Sequence, residues 1–154
     1  MGFKDKPFQE RWKQMGDQAE KAYLRTYNGA HHKHDKFGWD RTDLDTSRMS
    51  PKLRYMPDFM TVRTGGAAWL TECVGFGKDQ LLKFKVEKLE ALKEWDKDCR
   101  TFVFIYDSSR DYHAMTRVDA LQYRAAGCPI KRFPEGKEYY EIPADRFNMQ
   151  PVGS

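Results

Sequence analysis

The stretch "YMPDFMTVRTGGAAWLTECVGFGKDQLLKFK", Tyr55 to Lys85, decides how this chain folds. "DFMTVR" alternates in polarity and is followed by "TGGA", a composition that turns tightly. "AAWLTECV" then reads as the second strand of a hairpin. Each strand carries an acid: Asp58 directly follows Pro57 at the start of the first, and Glu72 lies near the end of the second. Antiparallel pairing sets the beginning of one strand beside the end of the next, so the two carboxylates converge at one end of the sheet. Carboxylates held close repel each other and want a cation. Oxygen-only ligands suit Mg²⁺, which keeps several waters and binds phosphate oxygens beside one or two carboxylates. Such an ion stabilises charge on a transferring phosphoryl group and acidifies an attacking water. Two strand-end acids simply exposed to solvent give the same pattern, so the helix that follows has to decide.

After "GFG" a helix is expected from near Lys78 to Asp96–Asp98. At about 100° per residue, Leu81, Leu82, Phe84, Leu89, Leu92 and Trp95 form one apolar arc, with Val86 near its edge. Glu87, Glu90, Glu94 and Lys83 fall opposite. Lys85 lands near the centre of the apolar arc and Lys88 on the same arc, nearer Trp95. Lys78 joins them if the helix begins early enough. A lysine in a buried stripe is costly unless its ammonium reaches a partner or water. Lys85 is therefore expected to reach back towards the carboxylate end of the sheet, with Lys88 next.

The flanks read more simply. Pro7 to Tyr27 has helical periodicity, weakened at Gly16, with Glu20 at the edge of the apolar stripe. Asn28 to Pro57 reads as a long polar loop with one short strand near Lys36–Trp39. His31, His32 and His34 lie in it without the spacing of a dedicated metal site. "TFVFIYDSS" is a buried central strand and "DYHAMTR" another. Val118 to Ala126 is a short helix stopped by Gly127 and Pro129, and "IKRFPEGKEYYEIP" a final hairpin. No repeat or internal boundary interrupts residues 1–154, which are expected to form one domain.

Composition narrows the function classes. Hydrophobic residues make up 40%, which excludes a disordered chain. The net charge of +4 permits a polyanionic partner without demanding one. Cys73, Cys99 and Cys128 are odd in number and widely spaced, against a disulfide framework and for a reducing compartment. No apolar run approaches the roughly 18 residues of a membrane helix, and the N-terminus lacks the apolar core of a signal peptide. A soluble, cytoplasmic protein is expected.

Pro57-Asp58, then Glu72 after a hairpin-sized gap, then a helix, then "TFVFIY", together resemble the PD-(D/E)XK nuclease superfamily. "YMPDF" is similar in particular to the phage endonuclease I type of Holliday-junction resolvase. "TECVGFGKDQLLKFKVEKLEALKEW" looks like phage members whose motif lysine has moved off the strand. The resemblance covers Tyr55 to about Asp107. It implies an α/β, restriction-endonuclease-like core in α-β-β-β-α-β order, with a central mixed sheet flanked by helices. It further implies a Mg²⁺- or Mn²⁺-dependent deoxyribonuclease acting on branched DNA, in the host cytoplasm if a phage encodes it, and a homodimer. Asp58 and Glu72 would hold the metal, with Glu20 assisting from the first helix. The family's Glu-X-Lys is broken here, because Glu72-Cys73 is followed by Val74. Lys85 is best placed to supply the missing ammonium, with Lys88 and Lys78 behind it.

Arg41, Arg48, Lys52 and Arg54 in the loop before Asp58, together with Lys78, are candidates for phosphate-backbone contacts. Two further readings remain open at this level: an inactive relative that binds DNA or protein, marked by Val74, and an unrelated α/β interaction domain.

Overall fold

The computed structural model describes residues 8–27, 29, 31–38 and 48–153, with 8–13 described by backbone alone. Pro7, Trp39 and Arg41 lie outside the described residues. The elements in order are α1 (Phe8–Thr26), β1 (His32–Lys36), α2 (Pro51–Arg54), β2 (Phe59–Arg63), β3 (Ala68–Phe76), β4 (Leu81–Lys85), α3 (Val86–Asp98), β5 (Thr101–Asp107), β6 (Tyr112–Arg117), α4 (Val118–Ala125), β7 (Ile130–Arg132), β8 (Glu138–Pro143) and β9 (Gln150–Pro151).

The expected hairpin is β2 and β3, joined through Gly65-Gly66 and paired antiparallel with Phe59 opposite Thr71. β5 then pairs parallel to β3, with Glu72 opposite Val103. A parallel neighbour requires a crossover, and α3 supplies it. The main sheet runs β1-β2-β3-β5-β6-β9, a mixed sheet with β3 and β5 at its centre. A second sheet, β4-β8-β7, includes the C-terminal hairpin.

Alternation divides the core between the two faces of the main sheet. Cys73, Phe59, Phe104 and Tyr106 pack with Ala19, Ala22 and Tyr23 of α1. Phe76, Val103 and Ile105 face the other way and pack with Leu89 and Leu92 of α3, Leu121 of α4, and Leu82 and Phe84 of β4. Helices thus cover both faces. α1 sits close to β3 at Gly75, where a Cβ would stand 3.4 Å from the Met15 carbonyl oxygen and 3.2 Å from that of Tyr106. Gly16 does not break α1, which is continuous across it.

A buried polar chain pins α1 to the sheet. Trp69 Nε1 and Thr71 Oγ1 both donate to Tyr23 Oη, at 3.1 and 3.0 Å, and Tyr23 Oη lies 2.6 Å from Thr61 Oγ1. Since Tyr23 already accepts twice, its own proton goes to Thr61. Thr61 Oγ1 is in turn 2.8 Å from His34 Nδ1, while His34 Nε2 is 2.8 Å from the Tyr27 carbonyl oxygen and must donate to it. These bonds fix the C-terminal half of α1, and with it Glu20.

Two local expectations are corrected. The strand in the polar loop is His32–Lys36, earlier than Lys36–Trp39, because His34 and Lys36 pair with Thr61 and Phe59 of β2. The helix expected from Lys78 begins only at Val86. "LLKFK" is instead β4, with Leu82 and Phe84 buried and Leu81, Lys83 and Lys85 less so. Five residues of that pattern satisfy a period of 2 as well as one of 3.6, and pairing of Phe84 with Tyr140 of β8 decides for the strand.

Candidate active site

The start of β2 and the body of β3 bring the two acids together. With Phe59 opposite Thr71, Asp58 falls beside Glu72, and Asp58 Oδ2 accepts the Cys73 backbone N–H at 2.8 Å. The approach to Asp58 is clamped. The Asp58 carbonyl accepts the Phe37 N–H at 2.9 Å, extending β1 alongside. Upstream, Tyr55 Oη donates to Glu87 Oε2 at 3.0 Å and Arg54 pairs with Glu87 Oε1 at 3.1 Å. Trp95 Nε1 donates to the Lys52 carbonyl at 2.9 Å. These bonds tie α2 to α3, so the Pro57-Asp58 segment is held between two fixed points.

Gly38 completes the clamp. A Cβ there would stand 2.8 Å from the Pro57 carbonyl oxygen and 2.9 Å from that of Met56, both backbone atoms that cannot step aside. Gly38→Ala is therefore expected to push Pro57-Asp58 off its position. Misplacement by about 1 Å costs on the order of 100-fold in rate. Cleavage assays on the folded variant check this.

Glu72 is buried, with only 3% of its side chain exposed, on the α3 face of the sheet. Lys88 Nζ lies 2.5 Å from Glu72 Oε2 and 5.6 Å from the Phe84 ring centroid. Lys88 stands one turn before Leu92, so the packing of Leu92 into the core aims Lys88 at the sheet. Lys85, in contrast, ends β4 with its side chain opposite that of Phe84. Its ammonium is 3.7 Å from Glu135 Oε1 and 5.8 Å from the Phe133 ring centroid. The helical phase that put Lys85 ahead of Lys88 fails because β4 is not helical.

Glu20 arrives from α1 on the other face. Lys36 at the end of β1 donates to Glu20 Oε1 and stands 3.9 Å from Asp58 Oδ1. Burial, and then the charge of Glu72 beside it, hold Asp58 well above the usual carboxylate range. Burial, followed by the charges of Asp58, Glu72 and Glu20, pushes the Cys73 thiol up as well, so Cys73 is a packed side chain and not a thiolate. Partial burial opposes the charge on Lys36, but the bond to Glu20 and the charges of Asp58 and Glu20 outweigh it, leaving its pKa raised.

Glu20, Asp58, Glu72, Lys88 and Lys36 thus gather around the start of β2 and the middle of β3. Among the described residues, no three His, Cys, Asp or Glu side chains stand close enough together to hold a metal as they are. The ammonium groups of Lys36 and Lys88 sit against the carboxylates. The donor set nevertheless fits Mg²⁺ or Mn²⁺: it is all oxygen, and the register of β2 with β3 sets the Asp58 and Glu72 carboxylates side by side.

Of the candidate phosphate contacts, Arg48 and Lys78 are exposed. Lys52 pairs with Asp98 at 2.6 Å and lies 4.8 Å from the Trp95 ring centroid, while Arg54 holds Glu87. Lys36 escaped the sequence reading. Its role depends on register across β1 and β2, which no local pattern specifies.

No protein-family model matches this sequence, and no curated protein matches it. Among solved structures, it is similar to Hjc, a Holliday junction resolvase from the archaeal hyperthermophile Archaeoglobus fulgidus. The TM-score is 0.52 at 12% identity, over 89% of this chain and 91% of that one. At that identity the likeness is one of fold. A central mixed sheet with helices on both faces, entered through α1 and crossed by α3, is the restriction-endonuclease-like architecture expected from Tyr55 to Asp107.

Proposed function

We propose that residues 1–154 form one PD-(D/E)XK-type nuclease domain that hydrolyses DNA phosphodiesters with Mg²⁺ or Mn²⁺, acting on branched DNA such as Holliday junctions. The observation that carries this reading is the buried Lys88–Glu72 pair beside Asp58. It supplies a carboxylate pair and an ammonium, the three groups the family's motif requires, although Val74 occupies the motif's lysine position. The likeness in fold to a resolvase supports the same reading.

Asp58, Glu72 and Glu20 would hold the ion, which when bound supplies charge stabilisation at the phosphate and a more acidic water. Lys88, and not Lys85, is assigned the motif lysine's place. Its ammonium orients the attacking water and stabilises negative charge developing on the phosphate. Asp58 is kept in place by the Cys73 N–H and the Gly38 clamp. Arg48 and Lys78 are assigned to the phosphate backbone, with Arg41 beyond the described residues. Lys52 and Arg54 serve first to dock α2, through Asp98 and Glu87. A homodimer would match the symmetry of a four-way junction. The cytoplasm is the assigned compartment, and no helix of the described residues is long and apolar enough to cross a membrane.

The second reading, an inactive DNA-binding relative, is favoured by Val74 alone. The two separate on labelled four-way junction, fork, linear duplex and single-stranded DNA, each with Mg²⁺, Mn²⁺ or EDTA. Metal-dependent cutting of the junction ahead of linear duplex is expected. Junction binding without cutting on any substrate would favour the inactive relative.

A further inference from the structure

Lys36 ends β1 in register with Phe59, the residue after Asp58. Side chains directly opposite in an antiparallel pair share a face, and the Lys36 ammonium lies 5.0 Å from the Phe59 ring centroid. From there it donates to Glu20 Oε1 and faces Asp58 Oδ1 at 3.9 Å. The other Asp58 oxygen, Oδ2, is engaged by the Cys73 N–H. The Glu20 and Asp58 oxygens facing Lys36 are therefore those a metal ion would use on this side of the cluster.

The two lysines of the site differ in their freedom to leave. Lys88 is 13% exposed, and its partner Glu72 is buried with it. Withdrawing Lys88 would strand a buried carboxylate. Lys36 is 48% exposed, on a flexible four-carbon stem at the rim of the sheet. Its partners Glu20 and Asp58 are each 23% exposed, so Lys36 gives up its place at a smaller cost than Lys88 would. A dication also gains more from two carboxylates than a single ammonium does.

We infer that Lys36 is the built-in counter-ion of the acid cluster, occupying the Glu20–Asp58 side until a divalent cation displaces it. The inference rests on the nuclease reading above. Cation and ammonium compete for the same two oxygens, so metal binding and withdrawal of Lys36 are one exchange. The apparent metal affinity is reduced by the fraction of molecules in which Lys36 is seated. Lys36 thereby sets the metal concentration at which the site loads, and Lys88 stays on Glu72 throughout.

The test is Mn²⁺ binding to the full chain without DNA, followed by titration calorimetry, for wild type, Lys36→Met and Lys33→Met. Circular dichroism confirms that each is folded, and Lys36→Gln replaces Lys36→Met if the latter is not. Methionine keeps an apolar stem against Phe59 while removing the charge. Lys33→Met removes the same charge from an exposed position on the same strand. Lys36→Met is expected to bind Mn²⁺ about tenfold more tightly than wild type, with Lys33→Met unchanged. Equal or weaker binding by Lys36→Met, or equal tightening by Lys33→Met, would overturn the counter-ion role while wild-type binding left the nuclease reading standing. Absence of Mn²⁺ binding in all three would overturn both.

Discussion

Replacing Lys88 with methionine is expected to slow DNA cleavage by about a thousandfold, while Lys85→Met stays within a few-fold of wild type. The difference follows from where the two ammonium groups stand. Lys88 Nζ is 2.5 Å from Glu72, and Lys85 Nζ is with Glu135 on the β4 side. Lys88→Met also leaves Glu72 buried without its ammonium, and breaking a buried pair from one side costs about 3–5 kcal/mol. Loss of activity alone would therefore not separate chemistry from folding. Lys88→Met combined with Glu72→Gln removes both charges and is expected to recover most of that stability, because nothing charged is left stranded. It is expected to recover no cleavage. A double variant that melts like wild type and still cuts DNA would remove Lys88 and Glu72 from the mechanism together.

Asp58→Asn is expected to abolish cleavage and to stabilise the metal-free protein. Burial and the charge of Glu72 raise the pKa of Asp58 in the folded state well above its ordinary value of 3.8. The folded state therefore favours the protonated acid. That stabilisation is complete below the ordinary value and is lost as pH rises through the raised one. Metal-free wild type should lose stability over this range, whereas the neutral amide of the variant has no charge to gain. Asp58→Asn can keep the bond from the Cys73 N–H, because the amide carbonyl oxygen accepts as the carboxylate does. The gap in Tm between Asp58→Asn and wild type should open as pH climbs from about 4 upwards and should close when Mn²⁺ is added to wild type. A gap that does not change with pH would contradict the burial of Asp58 beside the charge of Glu72.

Periodicity carries local information, and the parts of this fold legible in the sequence are those that local periodicity specifies. The β2–β3 hairpin, the buried run of β5, α4 and the β7–β8 hairpin all announce themselves through alternation, turn residues or a continuous apolar run. Asp58 and Glu72 follow from the hairpin, since their approach needs only antiparallel pairing. β4 was not legible. "LLKFK" fits either period, and its partner β8 begins only at Glu138, far downstream. That ambiguity moved the helix start and with it the ranking of Lys85 over Lys88. Lys88 itself was legible as a lysine on the apolar arc, since residues 86 to 98 are helical as expected. Lys36 was not, because "HKHDK" alternates without an apolar face and only the pairing of Lys36 with Phe59 delivers its ammonium to Glu20. Arg54 and Lys52 read as loop cations because their partners, Glu87 and Asp98, belong to a helix 33 and 46 residues away.

The central claim is that Asp58 and Glu72 hold the ion at which DNA is cut. Single-turnover cleavage of a labelled four-way junction in Mg²⁺ and in Mn²⁺, by wild type, Asp58→Ala and Glu72→Ala at equal folded concentration, tests it most directly. Wild type should cut with either ion and stop in EDTA, and both variants should give no product while remaining folded. Cutting by either variant at the wild-type rate would contradict the claim.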